Sequence, residues 1–298
     1  YKKTYGIPQK GDVLVTGVGT LGKVYVVKND DEFYFKDGNI IWFKIKDKIN
    51  SYYLKQLYLT PLIKEQIIEK SAGSTVGTYT ITGAKKTIIP LPPDNEQTAI
   101  TNVLSNTDAL IEKLDKLIVK KKAIKKGAMQ QLLNCKKRLS GFNGVWKVKK
   151  LGEIAEMYSG GTPLTSNNSY YGGQIPWVVI ADMTRIKKYL LNTEKNITEL
   201  GLKNSSTKLF KKETLLFAMY ASIGKCAIAK VDIACNQAIL GINSKKIDTE
   251  FLYYYLAFNE QNFLQMGQTG TQNNLNKEIV QNLDVPYPSI EEQTAIAS

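Results

Sequence analysis

The chain contains no histidine, and that absence removes the Ser-His-Asp and Cys-His nucleophile arrangements together with every histidine-ligated metal site. Its cysteines, Cys135, Cys226 and Cys235, form no C-x-x-C pair, so neither a zinc knuckle nor a disulfide framework is expected, and a reducing cytoplasm fits their usage. Gly17-Val18-Gly19-Thr20-Leu21-Gly22 fits the dinucleotide fingerprint by letter. Residues 23–27 read as a strand rather than a helix, however, so the spacing predicts a tight β-turn. No phosphate-cradling G-x-x-x-x-G-K-[ST], no Asp-x-Lys or Glu-x-Lys triplet of a metal-dependent nuclease, and no Asn/Asp-Pro-Pro-aromatic motif of an amino-methyltransferase occurs. The chain reads as non-catalytic, with no metal or cofactor of its own.

What remains are side chains suited to contact. Lys and Arg number 40 against 27 Asp and Glu, a formal charge of +13 and a pI near 9.3, which attracts polyanions by a salt-sensitive, sequence-independent term. Charge alone leaves open nucleic-acid binding and a merely lysine-rich proteome. Base edges are read by Arg, Lys, Asn, Gln, Ser and Thr, and phosphates are held by basic side chains and loop amides. Four loops in the second half carry such groups: 160–165 with Thr162 and Thr165, 169–171 with Tyr170 and Tyr171, 185–188 with Arg185, Lys187 and Lys188, and 268–274 with Gln272, Asn273 and Asn274. The last three suit adenine readout, and equally suit a turn that favours Asn and Gly. Tyr220 and Lys225 flank a strand turn, Ser74, Thr75 and Thr78 occupy the matching place in the first half, and Trp177 is expected in the core.

The elements that must position these groups are strands at 13–16, 23–27 and 40–45, then a helical period over 50–70 broken near Pro61. Residues 94–134 follow as one long helix without proline and with only Gly127 as glycine. Asp94 and Asn95 offer N-cap oxygens, and at about 1.5 Å per residue the helix reaches roughly 60 Å. Its apolar stripe of Ile100, Val103, Leu104, Leu110, Ile111, Leu114, Leu117, Ile118 and Ile124 predicts coiled-coil packing on a partner helix; a helix laid on nucleic acid and a solvated lysine face are the alternatives. Beyond Ser140-Gly141-Phe142-Asn143-Gly144, a second domain has strands near 177–180 and 214–219 and a helical 249–263. No apolar run reaches the length of a membrane span.

The chain repeats itself. Glu96-Gln97-Thr98-Ala99-Ile100 recurs as Glu292-Gln293-Thr294-Ala295-Ile296, each after a Pro-x-Pro. Residues 14–23 match 216–225, and Ile49-Asn50-Ser51 matches Ile247-Asp248-Thr249, in the same order. A unit of roughly 200 residues, a globular domain followed by a long helix, is therefore present about one and a half times as a tandem repeat. The sequence reads as a fragment that begins inside the first copy and stops as the second helix starts.

These residues resemble the specificity (S) subunits of type I restriction-modification systems. The resemblance covers nearly the whole chain and rests on several motifs in order: Leu151-Gly152-Glu153-Ile154, Ser159-Gly160-Gly161-Thr162-Pro163, Ile175-Pro176-Trp177, Ser222-Ile223-Gly224-Lys225, Thr271-Gln272-Asn273-Asn274-Leu275-Asn276, the repeated Pro-x-Pro and Glu-Gln-Thr-Ala-Ile junction, and the helix end at 126–133. It implies an α+β architecture with two mixed α/β target recognition domains joined by a long coiled-coil helix. Residues 1–93 would be the C-terminal part of recognition domain 1, 94–139 the spacer helix, 140–290 recognition domain 2, and 291–298 the start of a second spacer helix. It also implies a bipartite double-stranded DNA site and docking of methyltransferase subunits, two in number, with restriction (motor-nuclease) subunits joining a larger hetero-oligomer. S-adenosylmethionine would then belong to the methyltransferase subunits, and ATP and Mg to the restriction subunit. A coiled-coil interaction scaffold with incidental charge is the rival from another class, and an enzyme with unfamiliar motifs is a third reading.

Overall fold

The computed structural model describes residues 6–29, 31, 39–46, 48–71, 77–268 and 274–298. The architecture is α+β, and the chain divides into two compact units, Tyr1–Lys120 and Lys121–Ser298.

In the first unit β1 (Val13–Thr16), β2 (Val24–Val26) and β3 (Ile40–Phe43) form an antiparallel sheet in the order β2-β1-β3. The fingerprint-like glycines make the β1–β2 turn, as the following strand requires: the Gly22 N–H donates to Thr16 O and the Thr16 N–H to Lys23 O, each at 2.9 Å. Gly19 and Gly22 take φ of +74° and +75°, where a side chain would be strained. Helices α1 (Ser51–Leu59) and α2 (Pro61–Ser71) break where proline dictates, since Pro61 holds Thr60 in an extended conformation. With α3 (Ile81–Lys85) they cover the sheet over a core that includes Val13, Val15, Tyr58, Ile63 and Tyr79.

Helix α4 (Asp94–Leu132) is 39 residues long. It starts one residue earlier than a cap at Asp94 or Asn95 would give: the Glu96 and Gln97 N–H groups donate to Pro93 O at 2.9 and 3.0 Å. Asp94 is thus the first helical residue, and its acidity suits the positive end of the helix dipole rather than a capping role. The helix runs through Gly127 and ends at Leu132, two residues short of the expected end. There Cys135 adopts φ +54° and the Lys137 N–H reaches back to Gln131 O at 3.0 Å, a left-handed cap made without glycine.

The second unit opens with β4 (Lys147–Lys150), α5 (Leu151–Ile154), β5 (Glu156–Ser159), β6 (Tyr171–Val178), α6 (Ile180–Arg185), β7 (Tyr189–Leu190) and β8 (Lys195–Ile197). It continues with α7 (Glu199–Lys203), β9 (Leu209–Phe210), β10 (Leu215–Ala218), β11 (Cys226–Ala229), β12 (Ile233–Cys235) and β13 (Ile239–Asn243). Helices α8 (Thr249–Phe258), α9 (Glu260–Gln268) and α10 (Lys277–Gln281), strand β14 (Asp284–Tyr287) and helix α11 (Ile290–Ala297) complete it. The sheets are β5-β13-β10-β11-β7, β8-β6-β12-β9 and the pair β14-β4. Strands β10 and β11 are buried along their whole length because both faces are covered. Leu215 and Phe217 point to a core with Phe251, Leu256 and Phe263, while the intervening Leu216 points to one with Val178, Phe210 and Cys235.

Candidate nucleic-acid interface

One hydrogen-bonding pattern occurs in both units and positions the candidate loops. In the first, the Gly17 N–H donates to Asn39 O at 2.6 Å and the Tyr79 N–H to Gly17 O at 2.8 Å. In the second, the Met219 N–H donates to Ala238 O at 2.9 Å and the Leu275 N–H to Met219 O at 3.0 Å. The β10–β11 turn repeats the β1–β2 turn as well, with the Gly224 N–H on Ala218 O at 3.0 Å and the Ala218 N–H on Lys225 O at 2.9 Å. In each unit, then, a hairpin end is flanked by a bonded neighbour, Tyr79 in the first and Leu275 in the second. Ser74, Thr75, Gln272 and Asn273 lie outside the described residues; Thr78 and Asn274, which bound those loops, are half-buried beside the hairpin ends.

In the second unit this convergence gathers several candidates. Thr162 donates its hydroxyl to Gln237 Oε1, Gln237 lies in the β12–β13 turn next to Ala238, and Ala238 is bonded to Met219, the neighbour of Tyr220. Thr162, Gln237, Tyr220 and Asn274 therefore share one strand end with the Lys225 turn. The Gly160-Gly161 pair brings the 160–165 loop onto it: a Cβ at Gly160 would lie 2.1 Å from Cys235 O, and one at Gly161 2.4 Å from the Thr207 backbone nitrogen. Thr165 is exposed, and Tyr170 is half-buried after its short 3-10 turn. Tyr171 donates to Pro163 O at 2.6 Å and stacks edge-on against Trp177; burial pushes its phenol pKa up. Trp177 is core, 5% exposed, with its indole N–H on Gly161 O at 3.1 Å.

The basic candidates fall into different circumstances. Arg185 is held between Asp182 and Glu194 at 2.9 and 2.7 Å. Lys188 is bonded to Glu250 at 2.5 Å and to the Tyr254 hydroxyl at 2.9 Å, with its ammonium over the rings of Tyr189, Tyr253 and Tyr254. Burial pulls the Lys188 pKa down, yet the hydrogen bonds to Glu250 and Tyr254 outweigh it and the net shift is upward. Lys225 pairs with Glu260 at 3.0 Å, whereas Lys187 is exposed. Lys187 and Lys188 lead into β7, whose parallel pairing with β11 at the sheet edge sets Tyr189 opposite Ile228 and so places them beside the start of β11, next to the Lys225 turn, while Arg185 ends α6.

Sequence reading missed Gln237 and a second group, Tyr158, Lys208 and Lys277. Tyr158 is 41% exposed on β5, and the Lys208 and Lys277 ammonium groups lie 4.0 and 5.5 Å from its ring centroid. Two cations over an exposed ring suit an anionic or π-faced ligand. No local signal marks these residues, since the fold brings β5, the segment before β9 and the start of α10 together from distant parts of the chain. Among the described residues no cluster of His, Cys, Asp or Glu could hold a metal, and none of the helices is long and apolar enough to cross a membrane.

On α4 the stripe is largely open. Val103, Leu110, Ile111, Leu114, Leu117, Ile118 and Ile124 are each about half exposed or more, and Leu104 is 40% exposed. Ile100 differs, packing on the core of its own unit. Met129 and Leu133 at the other end join the core of the second unit.

A family model described as "Type I restriction modification DNA specificity domain" matches residues 1–139 and again 143–298. The putative type I restriction enzyme MjaX specificity subunit of Methanocaldococcus jannaschii is 28% identical over 307 residues, covering 96% of this chain and 70% of that protein. The MjaIX specificity subunit of the same organism is 36% identical over 157 residues, 51% of this chain and 36% of that protein. The EcoR124I/EcoR124II specificity subunit of Escherichia coli is 28% identical over 225 residues, 71% of this chain and 54% of that protein. These matches thus span between 36% and 70% of the relatives' own lengths. Among solved structures, the S subunit of a type I restriction-modification system from M. genitalium superposes with a TM-score of 0.62 at 17% identity, covering 97% of this chain and 74% of that one. The HsdS subunit from Thermoanaerobacter tengcongensis gives 0.55 at 18% identity, covering 98% and 72%. At such identities the two structures speak for the fold.

Proposed function

The chain belongs to the family of type I restriction modification DNA specificity domains, and from that premise we propose that it is a non-catalytic DNA sequence-recognition subunit reading a bipartite double-stranded site. The observation that carries this is the duplication. The family model matches twice, and the same hairpin-and-loop frame recurs in both units with different side chains on it, as two half-sites of different sequence require. Thr162, Gln237, Tyr220, Lys225 and Asn274 are the candidates for base and phosphate contact in the second half-site, and Thr78 in the first. Tyr158, Lys208 and Lys277 add a phosphate or stacking contact at β5.

In this reading the open stripe on α4 packs against a second spacer helix, and the helical junction docks methyltransferase subunits. S-adenosylmethionine is then bound by those subunits, while ATP and Mg serve the restriction subunit, and the assembly works in the cytoplasm. The test is selection from a random duplex library by the complex of this subunit with a methyltransferase subunit, followed by sequencing of the retained DNA. The expected result is two short motifs separated by a fixed gap. Retention without sequence preference overturns the reading and leaves the helix as a protein-binding scaffold.

A further inference from the structure

The repeated Glu-Gln pair is used unequally. Glu292 is 2% exposed and takes both Arg138 nitrogens, Nε at 2.6 Å and Nη2 at 2.7 Å, with the Trp146 indole N–H at 3.0 Å. Its counterpart Glu96 is exposed. The glutamines behave alike: Gln97 and Gln293 are both fully buried. In the first unit the Asn50 N–H donates to Gln97 Oε1 at 2.8 Å, and Gln97 Nε2 donates to Pro92 O at 2.9 Å. In the second the Asp248 N–H donates to Gln293 Oε1 at 2.7 Å, and Gln293 Nε2 donates to Pro288 O at 2.9 Å.

Asn50 and Asp248 are the N-caps of α1 and α8, their side chains accepting from Tyr53 and Phe251 N–H groups three residues on. An ordinary capping box is completed by a Glu or Gln of the same helix reaching back to the N-cap N–H. Here a glutamine from a different helix completes it, and the same side chain holds the proline carbonyl that precedes its own helix.

We propose that Gln97 and Gln293 are positioning residues: each closes a capping box across two helices and so sets the direction in which its own helix, the long α4 in the case of Gln97, leaves its globular unit. A buried amide with its acceptor and donor both engaged has one low-energy orientation, and displacing it takes a partner from two part-buried backbone groups. The consequence for DNA rests on the function proposed above, while the lock itself rests on geometry found twice.

Spin labels at Lys64→Cys and Lys113→Cys, both exposed in the first unit, in a Cys135→Ser background, read the helix direction as a distance distribution by pulsed electron resonance. The parent is expected to give a narrow distribution and Gln97→Met a broader or displaced one. Gln97→Glu, which keeps an acceptor for the Asn50 N–H, should fall between, and it carries the test if Gln97→Met does not fold. A distribution as narrow and as centred in the folded variants as in the parent overturns the lock. In the library selection, the variant complex should retain both half-sites while the single gap spreads to neighbouring lengths; a single unchanged gap overturns the role in spacing. If the parent itself retains no split motif, the DNA-recognition reading fails, and the distance distributions still judge the lock.

Discussion

Lys187 and Lys188 are adjacent in sequence and opposite in circumstance. The Lys188 side chain is 16% exposed, and its ammonium is bonded to the carboxylate of Glu250, whose side chain is 32% exposed. Burial raises the Glu250 pKa, but the hydrogen bonds from Lys188 and Tyr189 outweigh it and hold the carboxyl below its ordinary range. A carboxyl held low contributes stability above its unfolded pKa of about 4.3 and loses it as pH falls through the lower folded value. Lys188 is raised, so its contribution is complete below a lysine's ordinary value of about 10.4 and fades only as pH rises past the folded one. Lys188→Ala should therefore lower stability by about 1–3 kcal/mol at neutral pH, and thermal melts should show the deficit shrinking below about pH 4. Lys187→Ala should leave the melt unchanged, weaken binding to all duplexes alike and reduce the salt slope by about one. A second residue-scale case is Thr101, whose buried hydroxyl has no hydrogen-bond partner among the described residues. Thr101→Val keeps the shape and removes the stranded oxygen, so denaturant titration should find it more stable by about 1 kcal/mol.

Among the elements, helix α4 was the most legible, because the stripe and the absence of proline act locally. Its ends were less so: Pro93 accepts the first bonds, and a cysteine rather than a glycine turns the chain at 135. Neither follows from residue preference, which names the favoured cap and not the one that packing selects. Gly127 lies mid-helix, and a Cβ there would meet nothing within 4 Å; Gly127→Ala should raise stability by about 0.5–1 kcal/mol, measured by chemical denaturation. Gly17 is the reverse, since its Cβ would lie 2.5 Å from Tyr79 O. Gly17→Ala should open the contact between Tyr79 and the β1–β2 hairpin, read as faster amide exchange at Tyr79. The stripe positions from Val103 to Ile124 are exposed, which a seam awaiting a partner helix and a solvated face share, while Ile100 of the same stripe packs on the first unit's core, being one turn from the buried Gln97.

At the scale of the whole molecule, the function proposed above makes the gap between half-sites a matter of the length of the continuous helix α4. Inserting one heptad between Thr107 and Ile118 keeps the stripe in phase and adds about 10 Å, about three base-pair steps. Library selection should then return the same half-sites with a longer gap. By itself the sequence determined the duplication, the long helix and the basic, histidine-free character of the chain, because these depend on residue type and local periodicity, and the fold class followed from the family resemblance that its motifs carry. Only the tertiary structure decided which of the candidates meet. Sheet pairing brings Gln237 to Thr162, the packing of α10 and of the segment before β9 brings Lys277 and Lys208 to Tyr158 across long stretches of chain, and burial beside Glu250 engages Lys188 within the protein. It also decided what the repeated Glu-Gln pair does. The letters are identical in both copies, but only the partners that folding supplies make Gln97 and Gln293 the same lock and leave Glu96 and Glu292 different.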